Sequence, residues 1–307
     1  MKPLLSLLAF CLLAGGAAAA NGFGQKPTAS AEQETEMFGR LLGAVQDVGG
    51  GFYGEAMSRF SRIIPEMEKR NYRPRPRWLA YDTYARALIG KGDPQAAIKA
   101  LKVAIEEAKQ LTAVELVKST SRLADIYDHT GNLAEAIEEY KTALAADPKN
   151  HQVMLDLGSV YRRSKRFAEA RELYDRVLAG DPANANAHMN LGNLYGDQGN
   201  LDAAVAEFEK HAALSDDREL AARNFLNAGF RYYDRGDYER ALALYNRALQ
   251  LTPDNALAFT DIGWATLALG RTQEAIAAFE KALKLKPAKD VKEYAGRGLK
   301  EARSKKP

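Results

Sequence analysis

Residues Ala187–Ala204 read AHMNLGNLYGDQGNLDAA. Counting from Gly192, a tyrosine (Tyr195) follows at the third place, a glycine (Gly199) at the seventh and an alanine (Ala204) at the twelfth. The same offsets recur along the chain. The anchors Ala124, Gly158, Gly192, Gly229 and Gly263 are spaced 34, 34, 37 and 34 residues apart. Their third places hold Tyr127, Tyr161, Tyr195, Tyr232 and Thr266, and their seventh places Gly131, Lys165, Gly199, Gly236 and Gly270. The twelfth places are all alanine: Ala136, Ala170, Ala204, Ala241 and Ala275. Four residues further on comes an aromatic each time, Tyr140, Tyr174, Phe208, Tyr245 and Phe279. Four of the five units end in proline, at Pro148, Pro182, Pro253 and Pro287.

A fixed period of this length marks a repeat architecture. Phe225, Ala228, Gly229 and Tyr232 share one helical face. The small residue on that face lets a second helix approach, the glycine turn separates the two helices, and proline stops the second. One helix pair cannot bury its apolar side alone, so neighbours must stack.

This pattern resembles the tetratricopeptide repeat family. The resemblance implies an all-α, right-handed α-solenoid of stacked antiparallel helix pairs. It covers about Met37 to Lys289, in units 78–111, 117–150, 151–184, 185–218, 222–255 and 256–289. The unit from Trp78 carries Tyr84-Ala85, Gly92-Asp93, Ala97 and Leu101 but lacks the closing proline. A degenerate first repeat and a Pro/Arg linker, NYRPRPRW, fill 37–77, and 21–36 reads as a mobile polar segment. Thr112-Ala113-Val114-Glu115 reads as a capping box and Ser215-Asp216-Asp217 as a further cap, each expected to lengthen a first helix by about a turn. Residues 290–307 form a capping helix and basic tail, with Val291, Tyr294, Ala295, Leu299 and Ala302 as its apolar stripe.

The composition is that of a globular protein: 46% hydrophobic and 27% charged residues in 307, with a net charge of only +3. Nothing global points to nucleic acid. MKPLLSLLAFCLLAGGAAAA has the n-region, h-region and A-x-A end of a signal peptide over 1–20, with cleavage expected before Asn21. The single cysteine, Cys11, follows Phe10 rather than a small residue, so lipidation is not expected. The mature chain then has no disulfide and no membrane span, and the expected location is a bacterial periplasm.

No motif anchors catalysis. GGGFYG (Gly49–Gly54) satisfies G-x-G-x-x-G, but no βαβ pattern surrounds it, and a turn inside the first repeat explains it better. His188 and His211 fall on paired helices, yet two histidines without a placed carboxylate make a poor zinc site. RRSKR (Arg162–Arg166) is a short basic cluster across a turn, read as a solvated face. No H-E-x-x-H, P-loop or G-x-S-x-G occurs. The expectation is a protein without catalysis, cofactor or metal.

The resemblance implies that the place two residues before each anchor, and the places one and five after it, line a concave groove. Asp156, Asn190, Asn227 and Asp261 then form a ladder, one per repeat, joined by Asn193. An amide both donates to and accepts from a peptide backbone, which suits an extended ligand of loosely specified sequence. Similar ladders line the repeats of protein O-linked N-acetylglucosamine transferases, but no transferase domain is seen here. The basic residues of the carboxylate-clamp version are absent, so a C-terminal carboxylate is not the expected ligand. The face runs from basic at Lys118 and Arg122 to apolar at Phe230 and Trp264, the expected hydrophobic anchors. The reading is a scaffold or adaptor binding extended segments of other proteins, and small-molecule substrates are not expected. Its alternative is a docking or regulatory subunit of an envelope enzyme complex that uses the convex face.

Overall fold

The computed structural model describes residues 27–305. Fifteen helices lie among them: α1 (Ala31–Gly49), α2 (Tyr53–Lys69), α3 (Pro74–Gly90), α4 (Pro94–Ala108), α5 (Ala113–His129), α6 (Leu133–Ala146), α7 (His151–Arg163), α8 (Phe167–Gly180), α9 (Ala185–Asp197), α10 (Leu201–Leu214), α11 (Arg218–Asp234), α12 (Tyr238–Leu251), α13 (Ala256–Ala268), α14 (Thr272–Lys284) and α15 (Lys289–Ser304). The only β pairing among the described residues is an isolated parallel bridge between Thr28 and Asn71. The fold is an all-α solenoid of helix pairs. It forms two compact units, Met1–Val153 and Met154–Pro307, with the boundary inside α7.

The α9–α10 pair shows how the sequence builds one repeat. Asn184 caps α9 by accepting from the Ala187 amide at 3.0 Å. Ala187, His188, Leu191, Gly192 and Leu194 are buried. Gly199 turns the chain with φ of 80°, a left-handed conformation that favours glycine. Asn200 then caps α10, accepting from the Ala203 amide at 3.3 Å.

The anchor glycine explains the aromatic that follows it sixteen places on. A Cβ on Gly192 would stand 2.4 Å from the Phe208 ring. The corresponding distances are 2.4 Å for Gly158 and Tyr174, 2.6 Å for Gly229 and Tyr245, and 2.5 Å for Gly263 and Phe279. Each ring therefore lies against bare backbone of the partner helix. Burying such a ring contributes about 2–3 kcal/mol, so these four contacts hold the pairs of the second unit. The first unit holds alanine at the same place, with Ala85 and Ala124 fully buried.

Several expectations need correction. The segment expected to be mobile over 21–36 is helical from Ala31, with a reciprocal capping box between Ser30 and Gln33. Its Glu34 is buried and ion-pairs with Arg73. The Pro/Arg linker is mostly helix: Pro74 stands in the first turn of α3, where its missing N–H costs nothing, and Trp78 is buried in that helix. Thr112 does not close a capping box through its side chain; its hydroxyl instead donates to the Glu115 carboxylate. The longer first helices are present, since α5 and α11 have 17 residues against 13 for α9 and α13.

Within Gly49–Gly54, residues 50–52 make the turn between α1 and α2, preceded by helix rather than strand. The last helix, α15, packs on α13 and α14 and buries Ala295, Gly298 and Ala302. No helix among the described residues is long and apolar enough to cross a membrane. The signal reading over 1–20 lies outside the described residues.

Candidate functional site

The second unit brings three of the expected groove residues together. Asn193 of α9 and Asn227 and Phe230 of α11 line a cavity of about 440 Å³. Gly192 and the Phe208 ring that packs on it also line the cavity, so the repeat's packing rule helps shape it. Phe230 is 52% exposed, an apolar ring facing solvent at the rim. Arg231 closes one side, donating to the Gly196 carbonyl at 2.5 Å and to Asp197 at 3.1 Å.

The asparagines divide by role. Asn184, Asn200 and Asn255 each accept from a backbone amide as helix caps. The side chains of Asn190, Asn193 and Asn227 make no hydrogen bond to any described residue. Asn190 and Asn193 are half-buried and Asn227 is exposed. The richness in asparagine of the Ala187–Asn200 stretch thus has two causes, one structural and one not. Asp156, at the next rung toward the N-terminus, is half-buried and already engaged within the protein.

The C-terminal rung differs. Asp261 is half-buried and makes no hydrogen bond or ion pair with a described residue. Burial pushes its carboxyl up to about 7. Trp264, expected as a free apolar anchor, is not free. Its ring stacks on Tyr294 at 5.4 Å and meets Phe279 edge-on at 5.6 Å. The cause is α15, which lays Tyr294 over the indole. Among the expected anchors, Phe230 alone remains exposed.

In the first unit, Lys118 is exposed, whereas Arg122 donates to the Asp82 carboxylate. Asp82 also accepts from the Ser119 hydroxyl at 3.0 Å, and Ser119 accepts from the Trp78 indole at 2.9 Å. Arg122 therefore belongs to an internal network, which the reading of the repeat places missed. Asp82 and Ser119 lie 37 residues apart, and no local pattern links them.

The other candidate groups have structural occupations. His188 bonds Glu207 at 2.7 Å and the Pro182 carbonyl at 3.2 Å, while His211 bonds the Ala185 carbonyl at 3.1 Å. Each ring ties α9 or its N-terminal approach to α10. In the basic cluster, Arg162 pairs with Asp197, and Arg166 lies 4.4 Å from the Tyr161 ring centroid and bonds Glu169 at 2.8 Å. Lys165 occupies the turn place held elsewhere by glycine, with φ of 60°.

Tetratricopeptide repeat models match residues 88–155, 129–178, 155–219 and 256–289, and a TPR repeat model matches 229–270. A comparison with curated proteins gave no match. The crystal structure of a tetratricopeptide repeat protein from Parabacteroides merdae is similar, with a TM-score of 0.61 and 16% identity over 88% of this chain and 99% of that one. The C-terminal part of a TPR repeat-containing protein from Cytophaga hutchinsonii has a TM-score of 0.61 and 18% identity, over 83% of this chain and 98% of that one. At such identities the likeness is one of fold. Proteins built from these repeats generally act as scaffolds for protein–protein contact. The repeats, their offsets and their packing agree, and the chain belongs to the tetratricopeptide repeat family.

Proposed function

We propose that the protein is an exported, non-catalytic adaptor that holds extended segments of partner proteins across the first-helix face of its second unit. Cell-envelope assembly or secretion is the setting we assign, and the N-terminal signal pattern supports export. The observation that carries the binding mode is the set of unpaired amides, Asn190, Asn193 and Asn227, beside a cavity rimmed by the exposed Phe230. Amides without internal partners are ready to pair with a peptide backbone, and a neighbouring apolar ring offers a side-chain contact.

Each hydrogen bond contributes about 0.5–1.5 kcal/mol net. Three amides and one ring must offset the ordering of the ligand, so affinity of about micromolar strength is expected. The test is affinity capture from the native envelope with the wild-type chain and an Asn190→Ala/Asn227→Ala/Phe230→Ala variant of equal helical circular dichroism. Partners lost from the variant alone support the reading. An unchanged set of partners contradicts it and points to the opposite face.

A further inference from the structure

Gly196 sits inside α9 without a packing reason to be glycine. Four places after their anchors, the other units carry full side chains: Asp128, Arg162, Tyr233 and Leu267. The backbone at Gly196 is helical, so no left-handed turn requires the residue. A Cβ there would stand 3.8 Å from the Arg231 guanidinium and 4.0 Å from the Ala204 Cβ, which is ordinary contact. Gly192, one turn earlier, is different, since its Cβ would meet the Phe208 ring at 2.4 Å. Alanine would therefore fit at position 196, and it favours a helix more than glycine does. The Arg231 bond to the Gly196 carbonyl is made to the backbone and does not depend on the side chain.

Gly196, Ala204 and Arg231 all line the cavity of about 440 Å³, so the side chain that is missing is missing from the cavity. A space of this size lies in the range of ligand sites. Its lining is graded. The buried members with side chains, Leu201 and Phe208 the largest of them, are apolar. Asn227, Arg231 and Asp234 are exposed and polar, beside the exposed Phe230 ring. Arg231 is already engaged by the Gly196 carbonyl and Asp197, whereas Asp234 makes no hydrogen bond or ion pair with a described residue. A side chain that enters from solvent passes polar groups first and meets hydrocarbon further in. An acidic one would face the Asp234 carboxylate. A lysine drawn to Asp234 would leave the buried wall uncovered.

We infer that Gly196 keeps this cavity open for one large apolar side chain of the bound segment, such as leucine or phenylalanine. The inference rests on the adaptor reading and adds to it the class of residue that lands beside Asn193 and Asn227. Gly196 is then a specificity-determining residue, kept at the expense of helix stability.

The test uses the full chain labelled with ¹⁵N, and loss of a cross-peak in Gly196→Ala identifies the Gly196 amide. The probes are the peptides acetyl-Ser-Gly-Ser-Leu-Ser-Gly-Ser-amide, its counterparts with phenylalanine, alanine, lysine or glutamate in place of leucine, and Nα-acetyl-leucine amide. The leucine and phenylalanine peptides should move the Gly196 amide and bind at least about tenfold more tightly than the other three. Gly196→Leu, which fills the cavity, should abolish that preference at unchanged helical circular dichroism. Gly196→Ala should raise the melting midpoint by about 1–4 °C yet weaken the phenylalanine peptide by about tenfold. A glycine kept for the fold would give the opposite pair of results.

Equal binding of the leucine, alanine and lysine peptides overturns the inference, as does a melting midpoint that falls in Gly196→Ala. Asn190 does not line the cavity, so it separates the two readings. If Asn190→Ala weakens every peptide by the same factor while neither the central residue nor Gly196→Leu matters, the adaptor reading stands and the apolar anchor falls. If Nα-acetyl-leucine amide binds as tightly as the leucine peptide, is lost in Gly196→Leu and is indifferent to Asn190→Ala, the apolar site stands and the extended-segment reading falls.

Discussion

The protein has two tryptophans, and each lies near an aspartate on its own helix: Trp78 with Asp82 in the first unit, Trp264 with Asp261 in the second. Around Trp78 and Asp82 each of these groups is paired. The Trp78 indole donates to Ser119, Ser119 donates to Asp82, and Arg122 neutralises that carboxylate. Around Trp264 and Asp261 neither the indole N–H nor the carboxylate is paired. The Trp264 indole N–H is buried without an acceptor, and Asp261 has neither a hydrogen bond nor an ion pair among the described residues. A satisfied buried network rigidifies, whereas an unsatisfied one costs stability. The same residue types thus brace one unit and leave the other chemically open.

The largest expected effect breaks the braced side. Asp82→Ala removes the acceptor for both Ser119 and Arg122 and leaves a half-buried guanidinium without its partner. Denaturant unfolding should show a loss of about 3–4 kcal/mol. Asp261→Ala should show no comparable loss, which is the comparison in its simplest form.

The next effect concerns the anchors. Gly192→Ala drives a Cβ to within 2.4 Å of the buried Phe208 ring, and unfolding should show a cost of about 1–3 kcal/mol. The first unit already holds a fully buried alanine at Ala124, and Ala124→Gly there should cost the helix propensity, about 1 kcal/mol.

Asp261→Asn should act with the opposite sign. The folded carboxyl sits at about 7 against an ordinary value of 3.8. The folded state therefore holds the proton more tightly than the unfolded chain does. The resulting stability is complete below about pH 4 and is lost as pH rises through about 7. Asp261→Asn should match the natural protein near pH 4 and exceed it by about 1–2 kcal/mol at pH 8 on thermal or denaturant unfolding. The smallest effect sharpens the repeat rule itself. Lys165 holds φ of 60° where the other turns have glycine, and Lys165→Gly should stabilise the second unit by up to about 1 kcal/mol.

Much of this was legible in the residues. The period and the Gly-to-aromatic offset come from packing within one helix pair, so they leave a local trace, and Gly192 and Phe208 could be matched by counting. Counting from the anchors also puts Asn190 and Asn227 at equivalent places of their first helices. What could not be read depends on distant partners. Arg122 is held by Asp82, 40 residues away, and so is not an open basic contact. Trp264 is covered by Tyr294, which the sequence showed only as part of an apolar stripe. Ala31–Glu36 looked mobile because its polar composition hides Glu34, whose burial depends on pairing with Arg73.

The central claim is that partners lie on the first-helix face of the second unit, and site-specific photo-crosslinking in the native envelope tests it most directly. A photoreactive phenylalanine analogue would replace Phe230 on α11 in one strain and the exposed Ala206 on α10 in another. The account predicts adducts with partner proteins from position 230, lost when Asn190→Ala and Asn227→Ala are added, and none from position 206. Adducts from position 206 alone would contradict it and place the partner on the opposite face.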